Sequence, residues 1–350
     1  MQPINTALCS YGMSGKVFHA PFISVNPNFN LYGVLERTKN LAQEHYPNIK
    51  TFRSLEDILA DESIELVVVN TPNITHYEFS KKVISVGKHL VVEKPFTTTV
   101  SEAKELIQLA KTKNVTISVY HNRRYDSDFK TVQSILNDGC LGDIVEAEFH
   151  YDRYNPGLSY KTHKELPTPG VGSLYDLGSH LIDQAIQFFG LPHAVQADLD
   201  AYRPNSKVND YFDLKLFYPT HRVILKSSYY VREPLPGNIL HGKKGSFIKS
   251  KADIQEAELI AGNMPGTPEW GIVPDEEKGL LHTEKDGRVI KEYIPTARGN
   301  YMDYYNGIYE ALRNNKPLPV SAEEGMLVIK VIEAALKSHS EQKRINLNNS

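Results

Sequence analysis

The chain has 350 residues, 41% of them hydrophobic and 23% charged, with a formal net charge of -3. Those values exclude a disordered polyelectrolyte and give no reason to expect nucleic acid or an anionic membrane as partner. The length is more than one core usually supports, so two domains are expected.

The first third alternates strand and helix. Ile4–Ser10 is a short apolar run. A helical segment opens at Gly12 and runs to about Asn26, where Pro21 should kink or shorten it. Leu31–Glu36 is the next strand, followed by a helix over Ser54–Asp61. Leu66–Asn70 reads LVVVN, a pattern suited to a strand buried on both faces. Ile74–Gly87 is helical, His89–Glu93 a strand, Thr99–Asn114 an amphipathic helix and Thr116–Tyr120 a strand. This repetition predicts a doubly wound parallel sheet over residues 1–121.

The rhythm then changes. A helix over Ser127–Asn137 leads into the alternating run IVEAEFHYDRY, a PTPGVG loop and a helix over 173–189. DYFDLKLFY and RVILKSSYYV read as neighbours in a largely antiparallel sheet with one covered face. Helices over Tyr301–Asn314 and Ser321–Ser338 close the chain. Residues 122–350 are therefore expected to form an α+β domain.

Two cysteines, Cys9 and Cys140, are too few for a disulfide framework or a Cys-based zinc site. No apolar run reaches the roughly 18 residues of a membrane span. MQPINTALCSYG lacks the basic-then-apolar pattern of a signal peptide, so a cytoplasmic protein is expected.

The first strand feeds the loop Ser10, Tyr11, Gly12, Met13, Ser14, Gly15, one glycine short of the dinucleotide fingerprint. In that motif glycines allow a tight turn and let backbone approach the pyrophosphate at a helix start. Ser10 can stand at the first position only with ordinary backbone dihedrals. Glu36 ends the second strand, where an acidic residue accepts from the ribose 2′-hydroxyl of NAD. Arg37 follows at once and suits the 2′-phosphate of NADP, so the two signals conflict. Beyond two later strands stand Thr71, Pro72, Asn73 and His76, then Glu93, Lys94 and Pro95. Ligands of open parallel sheets bind at these carboxyl ends.

Further on, SLYDLGSHLIDQ places Asp176 and His180 four residues apart. Helical spacing puts them on one face. Gly178 between them costs roughly 1 kcal/mol of helix stability, which suggests a close approach to the backbone. Two plainer readings compete. Ser173 and Asp176 fit a capping box. Asp176, His180, Asp183 and Gln187 also form a stripe such as any solvent face shows.

The broken glycine fingerprint, TPN-x-x-H, EKP and YDLGSH together resemble the Gfo/Idh/MocA oxidoreductases, over most of the chain. YHNRRYDSDF and GSLYDLGSHLIDQ look most like the branch with NADP-dependent scyllo-inositol dehydrogenases. The resemblance implies an N-terminal Rossmann domain and a C-terminal open-faced sheet. It implies NAD(P), with the branch and Arg37 favouring NADP, and a homodimer or higher oligomer formed through that sheet. It places Lys94, Asp176 and His180 at the catalytic centre and Asn122 near the nicotinamide. Histidine, with an ordinary pKa of about 6.5, suits proton transfer, and lysine suits developing alkoxide. Tyr154 and His163 are further candidates for a polyol or sugar substrate. No metal is expected, since paired-cysteine and H-E-x-x-H spacings are lacking. The alternative function is a dinucleotide-binding sensor on the same fold.

Overall fold

The structure is a computed structural model that describes residues 2–347. The chain divides into two compact units. The first runs through Asn122 and includes Ile254–Trp270 and Asn300–Met326. The second comprises Arg123–Asp253, Gly271–Gly299 and the chain from Leu327 on.

The first unit is built on six parallel strands: β1 (Ile4–Leu8), β2 (Phe29–Leu35), β3 (Lys50–Phe52), β4 (Leu66–Val69), β5 (His89–Glu93) and β6 (Ile117–Tyr120). Their order is β3-β2-β1-β4-β5-β6. All pairs are parallel, and β1 joins both β2 and β4. The strand order reverses at β1/β4, which is where open α/β sheets bind ligands. Each residue of β4 is buried, as an all-apolar strand covered on both faces must be.

Local sequence explains the helix ends. Ser54 and Asp57 form a reciprocal capping box for Leu55–Ala60, and Thr99 and Glu102 do the same for Val100–Lys113. Asn114 ends the latter helix in the left-handed region (φ 53°), and Gly87 does likewise after His76–Ser85 (φ 81°). The helix predicted from Gly12 is not a plain α-helix. Met13 and Ser14 open the helix, Gly15–His19 forms a π-turn, and α geometry resumes over Ala20–Val25. Pro21 has no N–H to give to the preceding turn, which accounts for the break.

Among the described residues, the second unit carries nine strands: β7 (Ile144–His150), β8 (Ala194–Asp200), β9 (Tyr211–Phe217), β10 (Arg222–Ser228), β11 (Asn238–Gly242), β12 (Gly245–Lys249), β13 (Gly279–Lys285), β14 (Arg288–Ile294) and β15 (Ile345–Asn346). Their order is β14-β13-β12-β11-β7-β10-β9-β8-β15. Among these strands β7 and β10 pair parallel and the other neighbours antiparallel. DYFDLKLFY and RVILKSSYYV are indeed antiparallel neighbours. Phe212, Leu214, Leu216, Val223 and Leu225 are fully buried, while residues alternating with them are half-buried or exposed, so one face of the sheet is left open.

Candidate functional site

At the carboxyl edge of the parallel sheet, the loop after β1 is knitted to the end of β4. Ser10 N–H donates to Asn70 Oδ1 (2.9 Å), Ser10 Oγ donates to Asn70 O (2.9 Å), and Asn70 Nδ2 donates to Ser10 O (2.9 Å). Ser10 is not among the positive-φ residues, which is why serine is tolerated where the fingerprint has glycine. Gly15 is a different case. A Cβ there would lie 2.2 Å from Ser10 O and 2.8 Å from Asn70 Nδ2, so only glycine fits. The sequence reading passed over Asn70; its one signal was an amide ending an otherwise apolar strand. The tight loop, the strict glycine and a helical turn starting at the switch point form a cradle that fits a dinucleotide pyrophosphate.

Glu36 does not hang free at the end of β2. Its side chain is buried, and both oxygens accept backbone N–H groups, from Leu41 to Oε1 (3.0 Å) and Ala42 to Oε2 (2.9 Å). It thereby caps the short helix Leu41–His45. Arg37, Thr38 and Lys39 are exposed. Arg53 braces this turn, with Nη1 donating to Glu36 O and Lys39 O (2.7 Å each) and Nη2 to Asn40 Oδ1 (2.6 Å).

Thr71, Pro72 and Asn73 lead into the 3-10 turn Asn73–Thr75, closed by Thr75 N–H donating to Pro72 O (2.8 Å). His76 is fully buried. Its ring nitrogens lie 2.9 Å from Thr71 O and 2.8 Å from Pro95 O, so it ties this loop to the one after β5. Lys94 follows β5, and its peptide bond to Pro95 is cis. Glu93 Oε2 accepts the N–H of Lys94 (3.1 Å). Asn122 is buried where β6 ends. The fold thus gathers the loop 10–15, Asn70–Asn73 and Glu93–Lys94 along one sheet edge.

In the second unit, Asp176 and His180 lie on a composite helix: a π-turn over Leu174–Gly178, then α geometry over Ser179–Phe189. Neither plainer reading of this segment survives. Ser173 has helical dihedrals and caps nothing; its hydroxyl donates to Asn209 Oδ1 (3.0 Å). The polar stripe is not a solvent face, since His180 is 6% and Asp183 2% exposed. Gly178 does mark a close approach, but the neighbours are Leu174 and the Phe212 ring of β9, 3.0 and 3.5 Å from where a Cβ would sit. The His180 ring lies near that of Tyr151, with centroids 6.3 Å apart.

Asp176 Oδ2 faces Lys164 Nζ at 3.5 Å. Lys164 ends the 3-10 turn Thr162–Lys164, which also carries the exposed His163. The surrounding loop is pinned by buried Arg203, which bonds Gly157 O (3.1 Å) and both oxygens of Glu165 (3.0 and 3.1 Å) and holds Asp210 (2.9 Å). Tyr154 lies elsewhere in this segment; its contacts run to Tyr230 and to the Arg232 guanidinium, 3.8 Å from its ring centroid. Among the described residues, no group of three or more His, Cys, Asp or Glu side chains is placed to hold a metal, and no helix is long and apolar enough to cross a membrane.

A parallel sheet in this order, with a strict glycine loop at its switch point, defines a dinucleotide-binding protein, here joined to a mixed open-faced sheet. Residues 4–121 match the profile of an oxidoreductase family's NAD-binding Rossmann fold, and residues 133–347 match that family's C-terminal alpha/beta domain. The chain belongs to the Gfo/Idh/MocA oxidoreductase family, as its motifs suggest. It is 40% identical over 344 residues to the scyllo-inositol 2-dehydrogenase (NADP(+)) IolW of Bacillus subtilis strain 168, covering 98% of this chain and 96% of that one. A solved structure from Bacteroides fragilis NCTC 9343 shares 47% identity at a TM-score of 0.90, covering 98% of this chain and 99% of that one. An oxidoreductase from Bacillus cereus shares 33% identity, also at 0.90, over 98% of each chain.

Proposed function

We propose that the protein is a dehydrogenase that moves a hydride between NADP and a secondary alcohol or carbonyl of a sugar or cyclic polyol such as an inositol. The observation that carries this reading is the near full-length likeness to the Bacillus subtilis inositol dehydrogenase, in a chain that carries Lys94, Asp176 and His180. Residues 1–121 would serve the dinucleotide and 122–350 the substrate and subunit contacts, with the open sheet face joining two copies.

The nicotinamide supplies the hydride acceptor or donor. Its affinity would come mainly from the backbone of Tyr11–Gly15 and from Thr71–Asn73, with Glu93, Lys94 and Asn122 at the nicotinamide end and His76 acting through the loops it ties. Lys94 binds the substrate hydroxyl and stabilises negative charge as it develops on oxygen. His180 accepts the hydroxyl proton, and in the opposite direction returns it to the carbonyl oxygen. Asp176 orients substrate by accepting a hydrogen bond from a second hydroxyl, with Tyr154 and His163 as additional donors. The preference for NADP is supported by Glu36, whose carboxylate is occupied with backbone N–H groups, and by the exposed Arg37 beside it.

The test is formation of reduced nicotinamide with NADP or NAD offered against a panel of inositols and aldoses. Turnover on a cyclic polyol with NADP is expected. Tight dinucleotide binding without turnover on any alcohol or matching carbonyl compound would instead mark a sensor.

A further inference from the structure

Behind Lys94 lies a buried group that the proposed chemistry does not use. His19, at the end of the π-turn, is fully buried in the first unit. Its Nε2 lies 3.0 Å from Glu93 Oε1 and its Nδ1 lies 2.6 Å from the Tyr305 hydroxyl. The ring packs on Tyr120, with centroids 4.4 Å apart. Tyr305 itself is fully buried against Phe22, Phe29 and Tyr120. The imidazole can therefore neither swing nor reach water.

The carboxylate fixes one ring proton. A carboxylate can only accept, so Nε2 must carry the proton that points at Glu93. Nδ1 faces the Tyr305 hydroxyl, which can donate to a bare Nδ1 or accept from a protonated one. Burial pushes the Tyr305 phenol well above its ordinary range, so it keeps its proton. Burial alone would raise the Glu93 carboxyl, but the His19 hydrogen bond and charge and the Lys94 charge outweigh it and hold it below its ordinary value. Glu93 is then an anion with each oxygen assigned: Oε1 to His19, Oε2 to the N–H of Lys94.

The geometry points to His19 as a positioning residue for Lys94, acting through Glu93, with Tyr305 holding the far end of the ring at Nδ1. This inference rests on the role given to Lys94 above. A loose Glu93 would leave the backbone from which Lys94 departs without its side-chain acceptor. A displacement of about 1 Å at a reacting group can cost on the order of 100-fold in rate.

Two experiments test it. The first measures kcat, and the dinucleotide dissociation constant by NADPH fluorescence, for His19→Leu, His19→Gln and Tyr305→Phe. His19→Leu should lower kcat by about 100-fold while leaving dinucleotide affinity nearly unchanged. His19→Gln, whose amide can still donate to Glu93, should recover most of that loss, and Tyr305→Phe should fall between them. Equal loss of kcat and affinity in His19→Leu, or no rescue by glutamine, would overturn the inference. The second needs no turnover: nitrogen-15 NMR of histidine in the wild-type protein should show an imidazole whose Nε2 carries a hydrogen-bonded proton, a signal lost in His19→Gln. A ring with Nε2 bare would overturn the assignment. Absence of turnover on any alcohol, with that NMR signature intact, would fault the Lys94 reading and not the His19 geometry.

Discussion

Arg124 and Asp183 form a buried two-bond ion pair, with Nε donating to Oδ2 at 2.9 Å and Nη2 to Oδ1 at 2.6 Å. Asp183 lies three residues beyond His180 on the same helix, so this pair sets how that helix sits in its unit. Arg124→Leu would strand a carboxylate out of water and should destabilise the protein by about 3–5 kcal/mol. Urea unfolding measures this directly. The double variant Arg124→Leu/Asp183→Leu should recover much of the loss, because it removes both charges together. A single variant as stable as the parent would show that water reaches Asp183.

Gly15→Ala places a methyl group against Ser10 O, where the backbone has no room to yield. Dinucleotide affinity should fall by tenfold or more, a change of at least about 1.4 kcal/mol. Fluorescence titration with NADPH reads it. An unchanged dissociation constant in a folded variant would mean that the loop relaxes without loss of the phosphate cradle.

Arg37→Ala should weaken NADP binding by about 10–100-fold, the worth of a charge-assisted contact, and leave NAD nearly untouched. Equal binding ratios before and after the change would remove Arg37 from the choice of cofactor. Disrupting the brace, as in Arg53→Ala, should move the same ratio in the same direction.

Lys94→Met should lower kcat by about 100- to 1,000-fold, in keeping with loss of a preorganised charge at a developing oxyanion. Dinucleotide affinity should survive. Parallel loss of both would make Lys94 a binding residue alone.

His150 sits between two carboxylates, with Nδ1 3.1 Å from Asp152 and Nε2 3.1 Å from Glu148. Burial opposes its charge, but the hydrogen bonds and charges of Asp152 and Glu148 win, so it titrates above the ordinary imidazole range. A raised folded-state value adds stability that is complete below the unfolded value of about 6.5 and fades as pH rises through the folded one. His150→Gln should therefore cost more stability at pH 6 than at pH 9. Urea midpoints at the two pH values decide it, and an equal cost at both would show that His150 is neutral throughout.

Much of this was legible in the residues. The β-α rhythm, the run LVVVN and the paired alternating strands are periodic signals, and periodicity reports sheet type directly. Other features leave no such trace. Nothing in the residue type of Glu36 says that its carboxylate turns inward to cap a helix. Asp183 reads as a solvent residue until Arg124 is found against it. Residues 254–270 and 300–326 group with the first unit through contacts between distant residues, such as Asn26 Nδ2 donating to Asn306 Oδ1 and the Phe22 ring packing on Trp270. Tyr301, Tyr304 and Tyr305 are fully buried as packing residues would be, yet Tyr305 also holds His19. Over five residues, hydrophobic spacing cannot tell a π-turn from an α-turn, so both wide turns escaped the sequence reading.

The turn over Leu174–Gly178 has a consequence for the length of the chain as well as its composition. A π-turn holds one residue more than the α-turn it replaces. The extra residue is taken up as a local bulge, so the helix on either side keeps its facing. Deleting one residue there would let the helix close to ordinary winding without turning one flank against the other. A deletion within Ser179–Phe189 has no such outlet and would rotate everything before it by about 100° against everything after it. In this helix the damage done by one lost codon depends on which turn loses it.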